Sequence, residues 1–557
     1  MKKSWLKRAA SVLLTTAMVG TMLVGCGGSE SASAGTSGAS GTTAASTGDK
    51  AGVAKKNGET IVTIAMGSAW ADLIPYNGAS GGYYSGIVLG LLYDRLAYIN
   101  LKGEISPRAA ESWEIADDKK SIIFHLNKNG KWSDGEPVTA NDFVFAAKMV
   151  TDPNCPVTQK SCYSILQGCD MSGNVDGSAE LGAEAIDDYT LKYTFKDVIS
   201  QDVTFPSYFQ YYLALPEHLL SDCSPADYTT NPLWNAPVGN GPCIFESTIA
   251  GSEVVMSSNP DYYLGAAPFD KLVIKVMATT NMTSALISGD VDMVYPQQPV
   301  DELETMEGVP GLAIKHLDAP SQPYMMIFNQ MVYKDSRLRR AVDMAIDRES
   351  IANMLRGAVA VESPIMSSTK YYDETCTYTY DPDAAKALID EMVADGSFDP
   401  TQPLVISTPS GARERVANIL QQNLQAIGIN TTIQVMEAAT MFAGFYDGTT
   451  GIGLVNMTAQ TNPMYLRGML TNDSATFVNV ESDLWDDYYK SFMNAATEDE
   501  AIAIVKDMQQ TWLEDVPIIM YSSTFEDYAY NTRLGGNIGL EDAGYMNIPV
   551  WEWEINE

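Results

Sequence analysis

Apolar residues at alternate positions mark extended segments at Thr60–Ala65, Ser121–Leu126 and Tyr189–Phe195, and a further short run at Leu404–Ser407; side chains of a strand point to opposite faces in turn. Trp113–Ala116, the acidic turn Asp117-Asp118-Lys119-Lys120 and Ser121–Leu126 together predict a hairpin, and Asp134-Gly135 predicts a second tight turn. Elsewhere the period is helical. Thr139 and Asp142 supply capping oxygens for a helix whose apolar side carries Phe143, Ala146, Ala147 and Val150. Leu338, Val342, Ala345 and Ile346 form another stripe, with Ser336 placed to cap it. The charges of Arg337–Arg348 then read as i to i+4 ion pairs on a solvated face. Asp381 before Pro382 starts a third helix, and 413–426, ending at Gly428, follows the strand at Leu404. Strands alternating with helices place the chain in the α/β class.

At 557 residues the chain exceeds one hydrophobic core, so two or three domains are expected. Asp plus Glu number 70 against 35 Lys plus Arg, a net charge of −35. That excludes a surface for nucleic acid, which requires a basic stripe.

The N-terminus changes the picture further. Lys2, Lys3, Lys7 and Arg8 precede a short apolar run that ends in Leu23-Val24-Gly25-Cys26, which resembles a bacterial lipoprotein box. Residues 1–25 then read as a signal peptide, with Cys26 as the lipidated residue that anchors the protein to the membrane surface. Residues 26–57, rich in Gly, Ser, Ala and Thr, are too poor in apolar bulk to form a core and read as a tether. Six further cysteines, Cys155, Cys162, Cys169, Cys223, Cys243 and Cys376, contain no C-x-x-C pair; the sequence leaves open whether they form disulfides.

The order of several motifs is more specific than any one of them. Pro107-x-Ala109-x-x-Ser112-Trp113 leads through Lys131-Trp132-Ser133-Asp134-Gly135 and Pro137-Val138-Thr139-Ala140 to Asp142-Phe143. Downstream come Pro216-Glu217-His218-Leu219, Gly239-Asn240-Gly241-Pro242, Asn259-Pro260-Asp261-Tyr262, Gly289-Asp290-Val291-Asp292 and the helix Arg337–Arg348. This series resembles the family 5 extracytoplasmic solute-binding proteins of ABC importers, the oligopeptide, dipeptide and nickel type, from about Thr60 to the C-terminus. The resemblance implies a two-lobed periplasmic-binding-protein-like fold (type II, cluster C) with an extra domain inserted in the first lobe. The implied division is 58–95, 205–323 and 516–557 for lobe I, 96–204 for the insertion and 324–515 for lobe II, which closes on the ligand.

It also implies a role: capture of a peptide or other small solute for an ABC permease, by a monomer lipid-anchored outside the cell membrane; the tether and the strong acidity resemble those of a Gram-positive cell surface. No cofactor, metal or nucleic acid is expected. Candidate ligand contacts are Trp70, Tyr76, Tyr83 and Tyr84 of a glycine-rich loop after the first strand, with Tyr324, Asn329, Asn456, Gln460, Tyr465 and Arg467 of the second lobe. Peptide-binding members carry an Asp for the peptide ammonium in a stretch matching Gly453–Leu466, yet no Asp or Glu occurs between Gly448 and Asn472. A desolvated ammonium would lack its counter-charge there. Neutral oligosaccharides are therefore the alternative ligand, and a ligand sensor for a signalling partner the alternative role.

Enzyme readings are poorer. Gly78-Ala79-Ser80-Gly81-Gly82 fits G-x-S-x-G, but Pro75-Tyr76-Asn77 separates it from the strand that a nucleophile elbow must follow. The three histidines, His125, His218 and His316, are too scattered to suggest a metal site.

Overall fold

The computed structural model describes residues 55–556 except 57, 78–82, 101–103, 158, 201–202, 206–207, 298–299, 317–319, 356, 458–461, 471–475, 481, 526 and 539–547. Cys26, the signal peptide, nearly all of the tether, Ser80 with its glycines, and Gln460 lie outside the described residues.

Two mixed sheets organise the chain. The first is built around Glu59–Met66, which pairs in parallel with Lys271–Val276 on one side and Met293–Gln297 on the other. Ile64, Ala65 and Met66 are all fully buried because both faces are covered, as expected of a central parallel strand. Ala65 faces Met282, Leu286 and Val294, while Val62, Ile64 and Met66 face the main core. Antiparallel strands complete the two edges, Glu253–Ser258 and Cys243–Ile249 on one side and Asp527–Asn531 and Leu312–His316 on the other.

The predicted hairpin forms as Ala110–Ile115 and Ser121–Leu126. With Thr190–Thr194 and Ala183–Asp187 it makes a separate four-stranded antiparallel sheet. Its inner side chains share the core of the first lobe: Phe124 meets Phe209 edge-on at 5.3 Å.

The second sheet has the order Ala358–Ala360, Ile518–Thr524, Gln322–Phe328, Ile452–Asn456, Leu404–Thr408 and Thr431–Val435. The return to lobe I was expected at 516, but Ile518–Thr524 pairs with Gln322–Phe328, with Tyr324 opposite Ser522. The chain therefore leaves the second sheet only after Thr524. Its crossings lie between His316 and Ser321 and between Thr524 and Asp527.

The helix Ser336–Ala345 is capped by Asp335, whose carboxylate accepts from the Arg337 amide at 2.9 Å, and not by Ser336. Nor is its charged side solvated throughout. Arg339 is 1% exposed and donates to the carbonyls of Tyr333, Lys334, Asp515 and Val516 and to the Asp515 carboxylate. Arg348 is buried against Asp343 and the Met520 carbonyl, with its guanidinium 4.0 Å from the centre of the Tyr378 ring. These arginines satisfy backbone carbonyls of the segment from Asp515 to Met520, a role that local spacing does not encode.

The glycine motif has a steric cause. A Cβ at Gly239 would lie 2.0 Å from the Leu92 carbonyl oxygen, the same oxygen that accepts from the Gly241 amide at 2.9 Å. All six cysteines after Cys26 are free thiols.

Candidate functional site

Both sheets point the carboxyl ends of their parallel strands toward the two crossings. In the first sheet, Gln297 and His316 are each registered with Asp527, the first residue of the returning strand. Met66 ends the neighbouring parallel strand on that side. In the second sheet, Asn456 ends its strand opposite Tyr324, near the start of the first crossing strand, and Thr408 and Val435 end the parallel neighbours. Crevices outside the carboxyl ends of parallel strands are where open α/β sheets bind ligands, because loops there diverge and leave backbone groups free.

On the second lobe this face carries two arginines. After Thr408 the chain turns through Gly411, at φ 94°, into the helix Ala412–Ala426, whose first turn carries Arg413 and Arg415 with Glu414 between them and has no side-chain cap. Burial pushes the Tyr324 phenol up, while the guanidinium groups of Arg413 and Arg415 and a hydrogen bond with Thr524 pull it back. The Tyr521 ring lies 6.3 Å from Tyr324, and its buried hydroxyl has no hydrogen-bond partner among the described residues. Tyr324 and Asn456, both half-buried, thus share one patch with two cations that the sequence reading passed over. Their signal was positional: both arginines open the helix that follows a parallel strand.

On the first lobe, the Tyr84 hydroxyl comes 3.4 Å from the point where a Cβ would stand on Gly67, immediately after the central strand, placing Tyr84 at the same end of the sheet. Tyr83 begins the same helix.

Three candidates are scaffold instead. Trp70 is buried in the core, 7% exposed. Tyr76, at φ 63°, is buried, with its hydroxyl 2.9 Å from that of Tyr163 and bonded to Leu213. Asn329 is fully buried, donates to the Phe445 carbonyl at 2.7 Å and accepts from the Met331 amide at 3.0 Å. It follows Phe328, registered with the first residue of Ile452–Asn456, so it lies at the far end of the sheet. Tyr465 is half-buried as a residue, but its hydroxyl is wholly enclosed with no partner among the described residues. Arg467 lines a cavity shared with the inserted segment.

The histidines serve scaffold pairs: His125 with Glu114, His218 with Asp134 and His316 with Asp527. No group of metal-ligating side chains occurs among the described residues, and no helix among them is long and apolar enough to cross a membrane.

Comparison with known proteins agrees with this architecture. Residues 104–476 match the family model described as bacterial extracellular solute-binding proteins, family 5 middle. The periplasmic oligopeptide-binding protein OppA of Salmonella typhimurium is 24% identical over 460 residues, covering 77% of this chain and 82% of the relative. The substrate-binding protein CtaP of Listeria monocytogenes superposes with a TM-score of 0.78 at 20% identity, covering 89% of this chain and 99% of that one. The oligopeptide-binding protein AppA of Bacillus subtilis, solved with a nonapeptide, gives 0.72 at 20% identity, with the same coverage of each chain. Members of this family are extracytoplasmic transport receptors and not enzymes, which sets aside the G-x-S-x-G reading. The chain belongs to the bacterial extracellular solute-binding proteins of family 5.

Proposed function

We propose that this protein is the capture component of an ABC importer, held outside the membrane through a lipid on Cys26, and that it closes its lobes over a peptide bearing a free carboxylate. The observation that carries this reading is the patch of Tyr324, Asn456, Arg413 and Arg415 at the carboxyl ends of the second lobe's parallel strands, beside the crossings. Two guanidinium groups and uncapped helix amides suit an anionic terminus. Differential affinity for the closed form would provide the signal read by the permease.

A second reading, neutral oligosaccharide, is favoured by the absence of any acid between Gly448 and Asn472 and by the Asn456 amide beside Tyr324. A thermal-shift panel separates the two. It compares free di- to pentapeptides with their N-acetylated and C-amidated forms and with neutral oligosaccharides. Ligand at a hundredfold over its Kd adds about 2.7 kcal/mol of stability. Peptide capture through Arg413 and Arg415 requires free and acetylated peptides to stabilise more than amidated ones. Stabilisation by sugars alone overturns it.

A further inference from the structure

The first lobe and its inserted segment touch the second lobe directly. Lys119 Nζ donates to the Ala496 carbonyl, just beyond the end of the helix Leu484–Met493, and the Tyr208 hydroxyl lies 3.4 Å from Met493 Sδ. Beside these contacts is a cavity of about 130 Å³ with walls from both bodies. Tyr208 and Lys196 come from one side, Arg467, Tyr489 and Lys490 from the other.

Its charge runs against that of the whole chain. Acids outnumber bases 70 to 35 overall, yet the wall holds Arg467, Lys196 and Lys490 against Asp197 alone. Lys196 already donates to the Cys169 carbonyl at 2.9 Å and Lys490 lies 3.8 Å from Asp487, whereas no carboxylate pairs with Arg467 among the described residues. The Tyr489 side chain is 1% exposed, and its hydroxyl has no hydrogen-bond partner among the described residues. The remaining wall is mainly aliphatic and aromatic. At roughly 30 Å³ per water, the volume suits about four waters or one short carboxylate-bearing group.

We propose that this cavity is a second subsite that takes a carboxylate of the transported solute, held by Arg467. The proposal rests on the solute-capture reading above and deepens it: the solute carries an acidic side chain. Because the walls come from two bodies, an anion here binds only when they are in contact. It therefore favours the closed form selectively.

The test uses the purified full chain with three kinds of probe. These are tetra-alanine peptides carrying Glu at each position in turn, their Gln counterparts, and sodium propionate against propionamide. Titration calorimetry is run on the protein as isolated and on Arg467→Gln, with Lys490→Gln, at an exposed side chain, as a variant that keeps the fold. At one position Glu is expected to bind roughly tenfold or more tighter than Gln, the scale of a charge-assisted hydrogen bond in a partly buried site. Arg467→Gln should abolish that preference while keeping the affinity for the Gln peptide, and Lys490→Gln should reduce it less.

An unchanged Glu-to-Gln ratio in Arg467→Gln, or no Glu preference in the unaltered protein, overturns the subsite. Failure of every peptide to bind counts against the capture reading. In that case the subsite survives only if propionate, and not propionamide, stabilises the unaltered protein but not Arg467→Gln. Propionate binding that Arg467→Gln leaves unchanged would mark an adventitious ion only and overturn the proposal.

Discussion

His218 Nε2 lies 2.8 Å from Asp134 Oδ2, joining two sequence motifs that are 84 residues apart. The neighbouring residues repeat the link. Asp142 accepts from the Glu217 amide at 3.1 Å, from the Thr139 amide at 2.8 Å and from the Trp132 indole at 3.4 Å. The Trp-Ser-Asp-Gly and Pro-x-His-Leu motifs are thus one hydrogen-bonded unit.

Within that unit Asp142 outweighs His218. Asp142→Ala leaves several enclosed donors unsatisfied and should cost about 3 kcal/mol or more, at roughly 1 kcal/mol or more for each. The His218–Asp134 pair is about one-third exposed, so His218→Ala should cost no more than about 1 kcal/mol. Urea unfolding followed by tryptophan fluorescence ranks the two, and equal losses would remove Asp142 from the centre of the unit.

Asp527 gives a pH dependence of definite sign. Burial raises its carboxyl above the ordinary 3.8, partly offset by His316 at 2.7 Å. The folded state therefore takes up this proton before the unfolded state does. The penalty for the ionised form is fully present above the folded pKa and gone below 3.8. Compared with Asp527→Asn, the unaltered protein should gain stability as pH falls through the raised folded pKa toward 3.8, and the gain should level off below it. A Tm difference that is flat or moves the other way would contradict this.

The Arg348–Asp343 pair separates breaking a buried ion pair from replacing it. Arg348→Met leaves the Asp343 carboxylate enclosed without its cation and should cost about 3–5 kcal/mol. The double change Arg348→Met with Asp343→Leu should recover much of that loss. Denaturation midpoints of the three proteins decide the point, and additive losses would show that the pair is not coupled.

Gly239→Ala forces a methyl against the Leu92 carbonyl oxygen, and the backbone on either side must shift to admit it. Overpacking of this kind costs about 1–3 kcal/mol. Gly251→Ala, with open space around its Cβ but φ 70°, carries only the backbone strain, about 1 kcal/mol. A smaller Tm loss at Gly239 than at Gly251 would reject the steric account of the Gly-Asn-Gly motif.

Motifs whose partners are near in sequence, such as Thr139 with Asp142 or Asp381 before Pro382, could be read because the chemistry that fixes them is local. Asn329 and Tyr324 could not be told apart. They sit at opposite ends of one strand, and only the pairing with Ile452–Asn456 reveals which end meets the crossings. Arg339 and Arg348 looked like surface charges because their partners, the carbonyls of Asp515, Val516 and Met520, are more than 170 residues away. Trp70 and Tyr76 were offered to the ligand because aromatic residues suit pockets and cores equally well. The bonds from Tyr76 to Tyr163 and Leu213 assign it to the core.

Arg413 is where the ligand reading stands exposed to a single substitution. It is half-buried at the start of a fifteen-residue helix, with Tyr324 and Tyr521 within reach of its charge and no carboxylate paired to it among the described residues. Removing the charge therefore breaks no described ion pair, and Arg413→Gln should leave the unfolding free energy within about 0.5 kcal/mol of that of the unaltered protein. Binding should respond differently. A carboxylate terminus held by a partly desolvated guanidinium loses roughly tenfold or more in affinity when the cation is replaced by a neutral amide. The same solute with an amidated terminus never had that contact and should bind Arg413→Gln and the unaltered protein alike. Calorimetry with the two forms of one peptide on the two proteins closes the cycle. A coupling near zero would mean that the solute's terminus lies elsewhere in the cleft.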